Sequence, residues 1–580
     1  MKPRQQREFA QDILSREVGY VRKPHANRLR VALAFPNTYF VGMSNLGFQT
    51  IYRLFNDQPD IVCERVFLPP KQELAALREA GTRIVSIESQ TPIGEFDVIA
   101  FSVSFEWDYT NVLTLLRLAG VPLRAAARDY RHPLIVIGGA VTFVNPEPLA
   151  LFADVIAAGE GEVLVPALLD AFGSSSRTEQ LRRLAQARGY YIPSFYDVEY
   201  ADNGTIARYL PKEGSGAPPV VRKAALKSTD ACDPPSTTIF TPDTEFGSRF
   251  LIEVVRGCAN LCRFCWAGYN YLPVRAFPTD RILALAQAAR RYSSKAGLVS
   301  IALCDHPDIE HILRSLKDMG YSISPASLRL DDLTPPIVSL LKESGERTLT
   351  IAPETGSDRL RRVINKTVTN DEILDRAELI FSSGIESLKL YYMIGLPTEE
   401  DEDLVAIRDL TLQLHEIMLK HARPRGRIGR IVASVNPLVP KPGTAYQWLP
   451  MERTDVIERK MKRMRTLVAG IDNVYFNIKS ERHSYYQALL SLGDRRIAPA
   501  IELAEENGGQ WRKALADAGI DGDFYIYRDR SADTVLPWSI IDGGMKEPFF
   551  RAEYEKSTRA EWTLPPKRAK ENARLLPVPG

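Results

Sequence analysis

Cysteine and histidine are scarce: the 580-residue chain holds six of one and seven of the other. Six thiols in so long a chain exclude a disulfide-stapled secreted scaffold and point to a reducing compartment with a metal or redox site. Net charge is nearly absent too. Lys and Arg number 74 against 72 Asp and Glu, and a balance of +2 gives no global support for a nucleic-acid or acidic-membrane partner. No run approaches the roughly 20 apolar residues of a membrane helix. The longest candidate, 133–144, is broken by Gly138 and Gly139, and no apolar segment of signal-peptide type follows the N-terminal Met-Lys-Pro-Arg. These absences predict a soluble, cytoplasmic protein with no membrane partner. What the chain does have is 45% hydrophobic residues, enough for sizeable cores, and a length that suits roughly two to four domains.

Short apolar runs at 30–35, 84–87, 97–102, 134–138 and 154–157 alternate with helical spacings at 45–56, 71–80, 109–118 and 162–171. Such alternation predicts a parallel sheet covered on both faces, so 1–172 is read as a doubly wound, Rossmann-type α/β domain. Ligands of such sheets bind beyond the carboxyl ends of the strands, here the loops 36–43, 102–107 and 138–144. Ser, Pro, Gly and Thr are frequent over 173–247, which reads as a linker with some short strands. A second alternation follows, with strands at 251–256, 298–303, 324–328, 348–352, 387–394 and 428–435. Six βα units predict a partial (β/α)6 TIM-type barrel over 248–452, with its active site at the C-terminal strand ends. Residues 453–556 are read as a small C-terminal extension, and the Pro- and Lys-rich 557–580 as a disordered tail.

Directly after the first barrel strand stands Arg256-Gly-Cys-Ala-Asn-Leu-Cys-Arg-Phe-Cys-Trp266. Cys258, Cys262 and Cys265 share one loop in C-x3-C-x2-C spacing. Three thiolates this close bind three irons of a cubane cluster and leave the fourth iron open to a ligand. A structural zinc site is the alternative, but it wants four ligands, and apart from Cys232 no other Cys or His lies within about 30 residues.

With Phe264 before the third cysteine, this motif resembles that of the radical SAM superfamily, and the likeness extends over about 248–449. The resemblance implies a [4Fe-4S] cluster whose open iron chelates S-adenosylmethionine (SAM). It implies reductive cleavage to a 5′-deoxyadenosyl radical that attacks a substrate, with a flavodoxin or ferredoxin as electron donor. It also implies site residues. Glu354, in Ile351-Ala-Pro-Glu-Thr-Gly356, matches a carboxylate on the SAM ribose. Ile394 and Gly395, in Met393-Ile-Gly-Leu-Pro397, match an adenine-facing segment, and Phe264 joins the cofactor-binding set. Arg329 matches a basic residue that meets the SAM carboxylate; a salt bridge to Asp331 or Asp332 is its alternative. The family's Gly-Gly-Glu-like stretch is replaced by Ala302-Leu-Cys-Asp-His306, where Asp305 supplies an acceptor for the SAM amino group. Cys304 and His306 are candidates to act on substrate, set against a buried thiol and a surface histidine.

Ahead of the barrel, Phe35-Pro-Asn-Thr-Tyr39, Gly42-Met-Ser-Asn-Leu-Gly47, Ile137-Gly-Gly139 and Gly159-Glu-Gly-Glu162 resemble the cobalamin-binding domains of a radical SAM subgroup. The Asp-x-His-x-x-Gly cobalt-ligand motif is absent, which leaves cobalamin open beside a scaffold that kept the fold without the ligand. If cobalamin binds, methyl transfer is the implied reaction. Two basic runs, 420–430 and 459–465, suit RNA phosphates or solvated faces balanced by acids such as those at 399–403. Three readings result. One is a radical SAM enzyme acting on an unknown small molecule, peptide or RNA, with methyl transfer through cobalamin. The second is a cobalamin-independent RNA-modifying enzyme like the methylthiotransferases. The third is a non-catalytic iron–sulfur or zinc protein that binds nucleic acid.

Overall fold

The computed structural model describes residues 3–173, 176–325 and 328–563. Its first sheet comprises β1 (Leu29–Phe35), β2 (Ile61–Phe67), β3 (Val98–Ser102), β4 (Leu134–Gly138), β5 (Val155–Ala157) and β6 (Tyr190–Tyr191). The spatial order is β2-β1-β3-β4-β5-β6, parallel throughout except for β6. Alternate residues of β1 serve opposite cores: Val31, Leu33 and Phe35 on one face, Ala32 and Ala34 on the other. The helices Leu46–Asn56 and Gly161–Phe172 cover the first face. Asn45 caps the first of these, its side chain accepting the Phe48 N–H at 2.9 Å. Lys71–Ala80 and Tyr109–Ala119 cover the second face, so the domain is doubly wound.

One predicted strand is displaced. The run 84–87 forms no strand; Val85 makes only an isolated bridge to Pro92. The missing strand is β2, whose sequence carries Glu64 and Arg65 at its centre. All of β2 is nevertheless buried, because Arg65 is held by Glu17 and Glu88, each at 2.6 Å. A charge inside a strand is tolerated when it is paired in this way. The region read as a linker with short strands holds a helix as well. It contains the helix Arg177–Gln186, the strand β6, a hairpin of β7 (Tyr196–Tyr200) and β8 (Ile206–Pro211), and β9 (Val221–Arg222).

The second domain is built from β10 (Phe250–Arg256), β11 (Arg275–Ala276), β12 (Lys295–Ser300), β13 (Ser322–Pro325), β14 (Thr348–Glu354), β15 (Ser387–Ile394), β16 (Ile431–Pro437) and β17 (Val474–Ile478). These form two sheets, β11-β10-β12-β13 and β14-β15-β16-β17, and among the described residues no ladder joins β13 to β14. The barrel is therefore split, and its second half continues past residue 452 through β17, which lies parallel to β16. Helices including Asn370–Ser382 and Asp401–Ala422 enclose the core on the outer side.

The C-terminal helices pack on the first domain. Ala498–Glu506 shares a core with Tyr109–Ala119, reinforced by Arg117–Glu505 at 2.8 Å and Arg124–Glu502 at 2.8 Å. β18 (Ile541–Asp542) pairs with β9, and the helix Glu547–Thr558 returns to the cysteine loop. Of the predicted disordered tail, 557–563 is ordered and 564–580 lies outside the described residues. Among the described residues no helix is long and apolar enough to cross a membrane.

Candidate functional site

β10 ends at Arg256, and Gly257 turns the chain into the cysteine loop with φ +96°. A Cβ there would stand 2.5 Å from the Tyr271 carbonyl oxygen, so only glycine fits. Cys258 is buried, Cys262 and Cys265 are half-buried, and none is in a disulfide. Cys265 precedes the short helix Trp266–Asn270, and the Ala267 and Gly268 N–H groups donate to its sulfur. Burial pushes the Cys262 thiol up to about 12 and raises Cys265 as well, with the Lys366 ammonium pulling both the other way. Thiolates in so enclosed a place require compensating positive charge, which bound iron supplies. Among the described residues no three His, Cys, Asp or Glu side chains converge on one ion-sized point, as a closed zinc site demands. The donor set fits a cluster in which each thiolate serves its own iron.

The loop is fastened from behind by two residues that sequence reasoning missed. Arg263, fully buried between the second and third cysteines, donates to the carbonyls of Arg362 (2.8 Å), Val363 (3.0 Å) and Glu561 (2.8 Å) and pairs with Glu553 at 3.2 Å. Asn365 donates to the Asn260 and Leu261 carbonyls at 3.4 and 3.3 Å. The Arg lies in plain view in Cys-Arg-Phe-Cys; its partners are about 100 and 300 residues away in sequence.

The predicted cofactor residues lie on both sides of this loop. Arg329 pairs with Asp305 at 2.9 Å and with Asp332 at 3.1 Å, and its Nη1 lies 4.0 Å from the Cys258 sulfur. The Asp331 side chain lies outside the described residues. Cys304 is half-buried beside this pair, with its sulfur 3.6 Å from the Asp332 carbonyl oxygen. Its neighbour His306 is buried, not a surface group. His306 Nε2 meets the Phe277 carbonyl at 2.9 Å and Nδ1 accepts the Asp308 N–H at 3.0 Å, so both nitrogens serve the fold.

Glu354 ends β14 at a register shift with φ +65°, a strained conformation for a residue with a Cβ. Burial raises its pKa, opposed by Lys366, whose Nζ donates to it at 3.2 Å. Burial also works against the Lys366 ammonium, but Glu354 and Cys262 outweigh it and hold Lys366 above the usual lysine range. Phe264 and Met393 both pack against a small apolar group that includes Leu396 and Leu438, close to the predicted adenine segment. The Ile394 side chain is fully buried in the barrel core, so only its backbone is available to a ligand. The Gly395 N–H is taken by Glu399 at 3.0 Å, and a Cβ on Gly395 would stand 2.7 Å from Ile457.

A cavity of about 450 Å³ opens between the domains. It begins at the strand-order reversal between β1 and β3, lined by Leu33, Ala100 and Ser102, and reaches Arg256 and Gly257 at the start of the cysteine loop. Gly159-Glu-Gly-Glu162 forms the seam. Arg275 pairs with Glu160 at 2.7 Å, and Arg256 pairs with Glu160 (3.1 Å), Glu162 (2.8 Å) and Glu253 (2.7 Å). Several members of the basic runs are paired locally: Lys460 binds Glu399 at 2.7 Å, Arg463 binds Asp401 at 3.4 Å, and Lys420 with His421 binds Glu378 at 2.7 Å.

A doubly wound domain, a split parallel barrel and a triple-cysteine loop at its first strand end define an enzyme of radical SAM type. The comparisons agree. Residues 252–411 match the radical SAM superfamily and 47–193 match the N-terminal region of radical SAM proteins, together more than half of the chain. The chain belongs to the radical SAM superfamily. It is 28% identical to an uncharacterized protein of Methanocaldococcus jannaschii over 82% of this chain and 91% of that one. It is 22% identical to an uncharacterized methyltransferase of Pyrococcus horikoshii over 47% and 56% of the respective lengths. Among solved structures, the radical SAM methyltransferase TsrM of Kitasatospora setae, with cobalamin and a [4Fe-4S] cluster bound, covers 94% of this chain and 99% of its own at 12% identity and TM-score 0.46. The cobalamin-dependent radical SAM enzyme OxsB, with aqua-cobalamin bound, covers 66% of this chain at 13% identity and TM-score 0.44; the match spans about half of that chain, 52%.

Proposed function

We propose that the chain cleaves SAM reductively at a [4Fe-4S] cluster on Cys258, Cys262 and Cys265, and that the interdomain cavity seats a corrinoid for methyl transfer to a substrate. A flavodoxin or ferredoxin as electron donor belongs to the same reading. When bound, the cluster supplies the electron that breaks the carbon–sulfur bond of SAM, and the corrinoid supplies a transferable methyl group. Arg329 and Asp305 present opposite charges beside Cys258, a match for the carboxylate and ammonium of an amino-acid group. Glu354 accepts hydrogen bonds from a ribose, and Lys366 holds it in place.

The observation that supports the corrinoid is the hollow itself. Protein interiors are close-packed, yet an apolar slot remains between the first sheet and its helices, walled by Leu33, Val136, Ile51, Phe55, Leu164 and Leu168. It suits a flat apolar tail, while Asn45, Ser102 and Ser104 offer polar contacts to a wider head. Among the described residues no histidine lines the cavity, so this wall offers cobalt no imidazole ligand.

Anaerobic reconstitution, reduction and addition of SAM is expected to yield 5′-deoxyadenosine, and Cys258→Ala to abolish it; product from the variant refutes the cluster assignment. Protein produced with hydroxocobalamin available is expected to carry a corrinoid absorbance band, and Leu164→Trp, which fills the slot, to lose it. Deoxyadenosine formation without any corrinoid favours the cobalamin-independent reading.

A further inference from the structure

β15, β16 and β17 have two faces, and only one is explained by the core. Leu388, Leu390, Tyr392 and Ile394 of β15, and Ile431, Ala433 and Val435 of β16, point into the apolar core under the outer helices. The intervening residues line the inner, concave side. There Tyr391 is 44% and Tyr475 55% exposed, unusual for large rings on strands inside a barrel. Register places Lys389, Val432 and Tyr475 in one row, and Tyr391, Ser434 and Asn477 in the next. Lys479 continues the alternation of Tyr475 and Asn477, and like Lys389 it is exposed and has no ion pair among the described residues. Asn436, in register with Met393, has a buried Oδ1 without a hydrogen-bond partner among the described residues. Met393 packs in the same small group as Phe264, next to Cys265, so the face leads to the cysteine loop.

Among the described residues no carboxylate stands free on this face: Glu354, on the neighbouring strand, is held by Lys366. Strand spacing puts Lys389 and Tyr475 about 10 Å apart, and the rise along β17 puts Lys479 about 13 Å beyond Tyr475. Two separated rings and two separated unpaired ammonium groups exceed the span of one small planar anion. They match two or three consecutive units of a chain in which flat rings alternate with negative charges. We propose that the inner face of β15–β17 binds single-stranded nucleic acid, with bases on Tyr391 and Tyr475 and phosphates on Lys389 and Lys479. The inference rests on the radical SAM reading for its use as a substrate site, and it is independent of the corrinoid.

The test is binding of hexauridylate to the cluster-reconstituted full chain, followed by fluorescence anisotropy, with uridine monophosphate and hexaglutamate as competitors. Hexauridylate is expected to bind, and the monophosphate at least tenfold more weakly. Tyr391→Ala, Tyr475→Ala and Lys389→Met are each expected to weaken hexauridylate binding by fivefold or more, and the lysine variant to flatten its salt dependence. Tyr130→Ala, at a tyrosine 85% exposed on the first domain, is the control and is expected to bind as the parent does. Absence of hexauridylate binding, equal displacement by hexaglutamate, or equal affinity of the three variants overturns the proposal. Deoxyadenosine formation without hexauridylate binding refutes this inference alone; its absence strikes the cluster assignment.

Discussion

Arg263→Met tests whether the C-terminal helix is part of the cluster site. The side chain is 0% exposed and its partner Glu553 1% exposed, so neither charge has water to return to. Methionine fills much of the space but leaves Glu553 and three backbone carbonyls without their donor. Removing one member of a buried pair costs about 3–5 kcal/mol. Lys556, at 3.2 Å from Glu553, and the Thr563 hydroxyl remain, which puts the expected loss near the lower end. About 3 kcal/mol corresponds to roughly a hundredfold increase in local opening. Native-state hydrogen exchange read by mass spectrometry is expected to show that increase in peptides covering both 547–563 and 256–266, with lower iron content after reconstitution. Adding Glu553→Gln removes the stranded charge and is expected to restore part of the protection. Unchanged exchange in the cysteine loop, or no restoration in the double variant, refutes the coupling.

Arg256→Met strands Glu162 and Glu253 at the domain seam and is expected to cost about 3–5 kcal/mol in thermal unfolding, against about 1–2 for Glu162→Gln, which removes one arm of the network. Glu354→Ala is expected to weaken SAM binding tenfold or more with iron content unchanged, read by equilibrium dialysis; equal affinity refutes the ribose role. Burial lowers Lys223 to about 8, against the opposing pull of Glu160. Between that value and the ordinary 10.5 the unfolded chain keeps a proton that the folded chain has released, so stability rises with pH across this window, by about 3 kcal/mol in full. Melting temperatures of the parent and Lys223→Met from pH 8 to 10.5 check the sign: the parent is expected to gain relative to the variant.

Local periodicity carried most of the architecture. The helices Leu46–Asn56 and Gly161–Phe172 and the strand Ser387–Ile394 lie where their patterns predict, because each buries one regular face. β2 was illegible because its charged pair reads as surface until Glu17 and Glu88 are brought to it from other segments. β17 was illegible for a different reason. Its exposed Tyr475 and Asn477 alternate with a thin apolar face of Val474, Phe476 and Ile478, a pattern that only the neighbouring β16 makes sense of.

The site divides along the same line. Cys258, Cys262 and Cys265 are legible because one short loop carries all three at a recognisable spacing, whereas the groups that support them come from segments far apart in sequence. Gly159-Glu-Gly-Glu162 shows why a motif and its role are separate questions. Its glycines suggest a ligand cradle, yet a Cβ on Gly159 would meet the Ala224 backbone at 2.2 Å and one on Gly161 would meet Ile51 at 2.1 Å. Its glutamates turn to Arg256 and Arg275 of the barrel. The segment therefore locks the first domain to the residue that opens the cysteine loop. A charge network with three carboxylates on Arg256 tolerates little change in that spacing, so the cavity wall and the start of the cysteine loop are tied through one buried guanidinium.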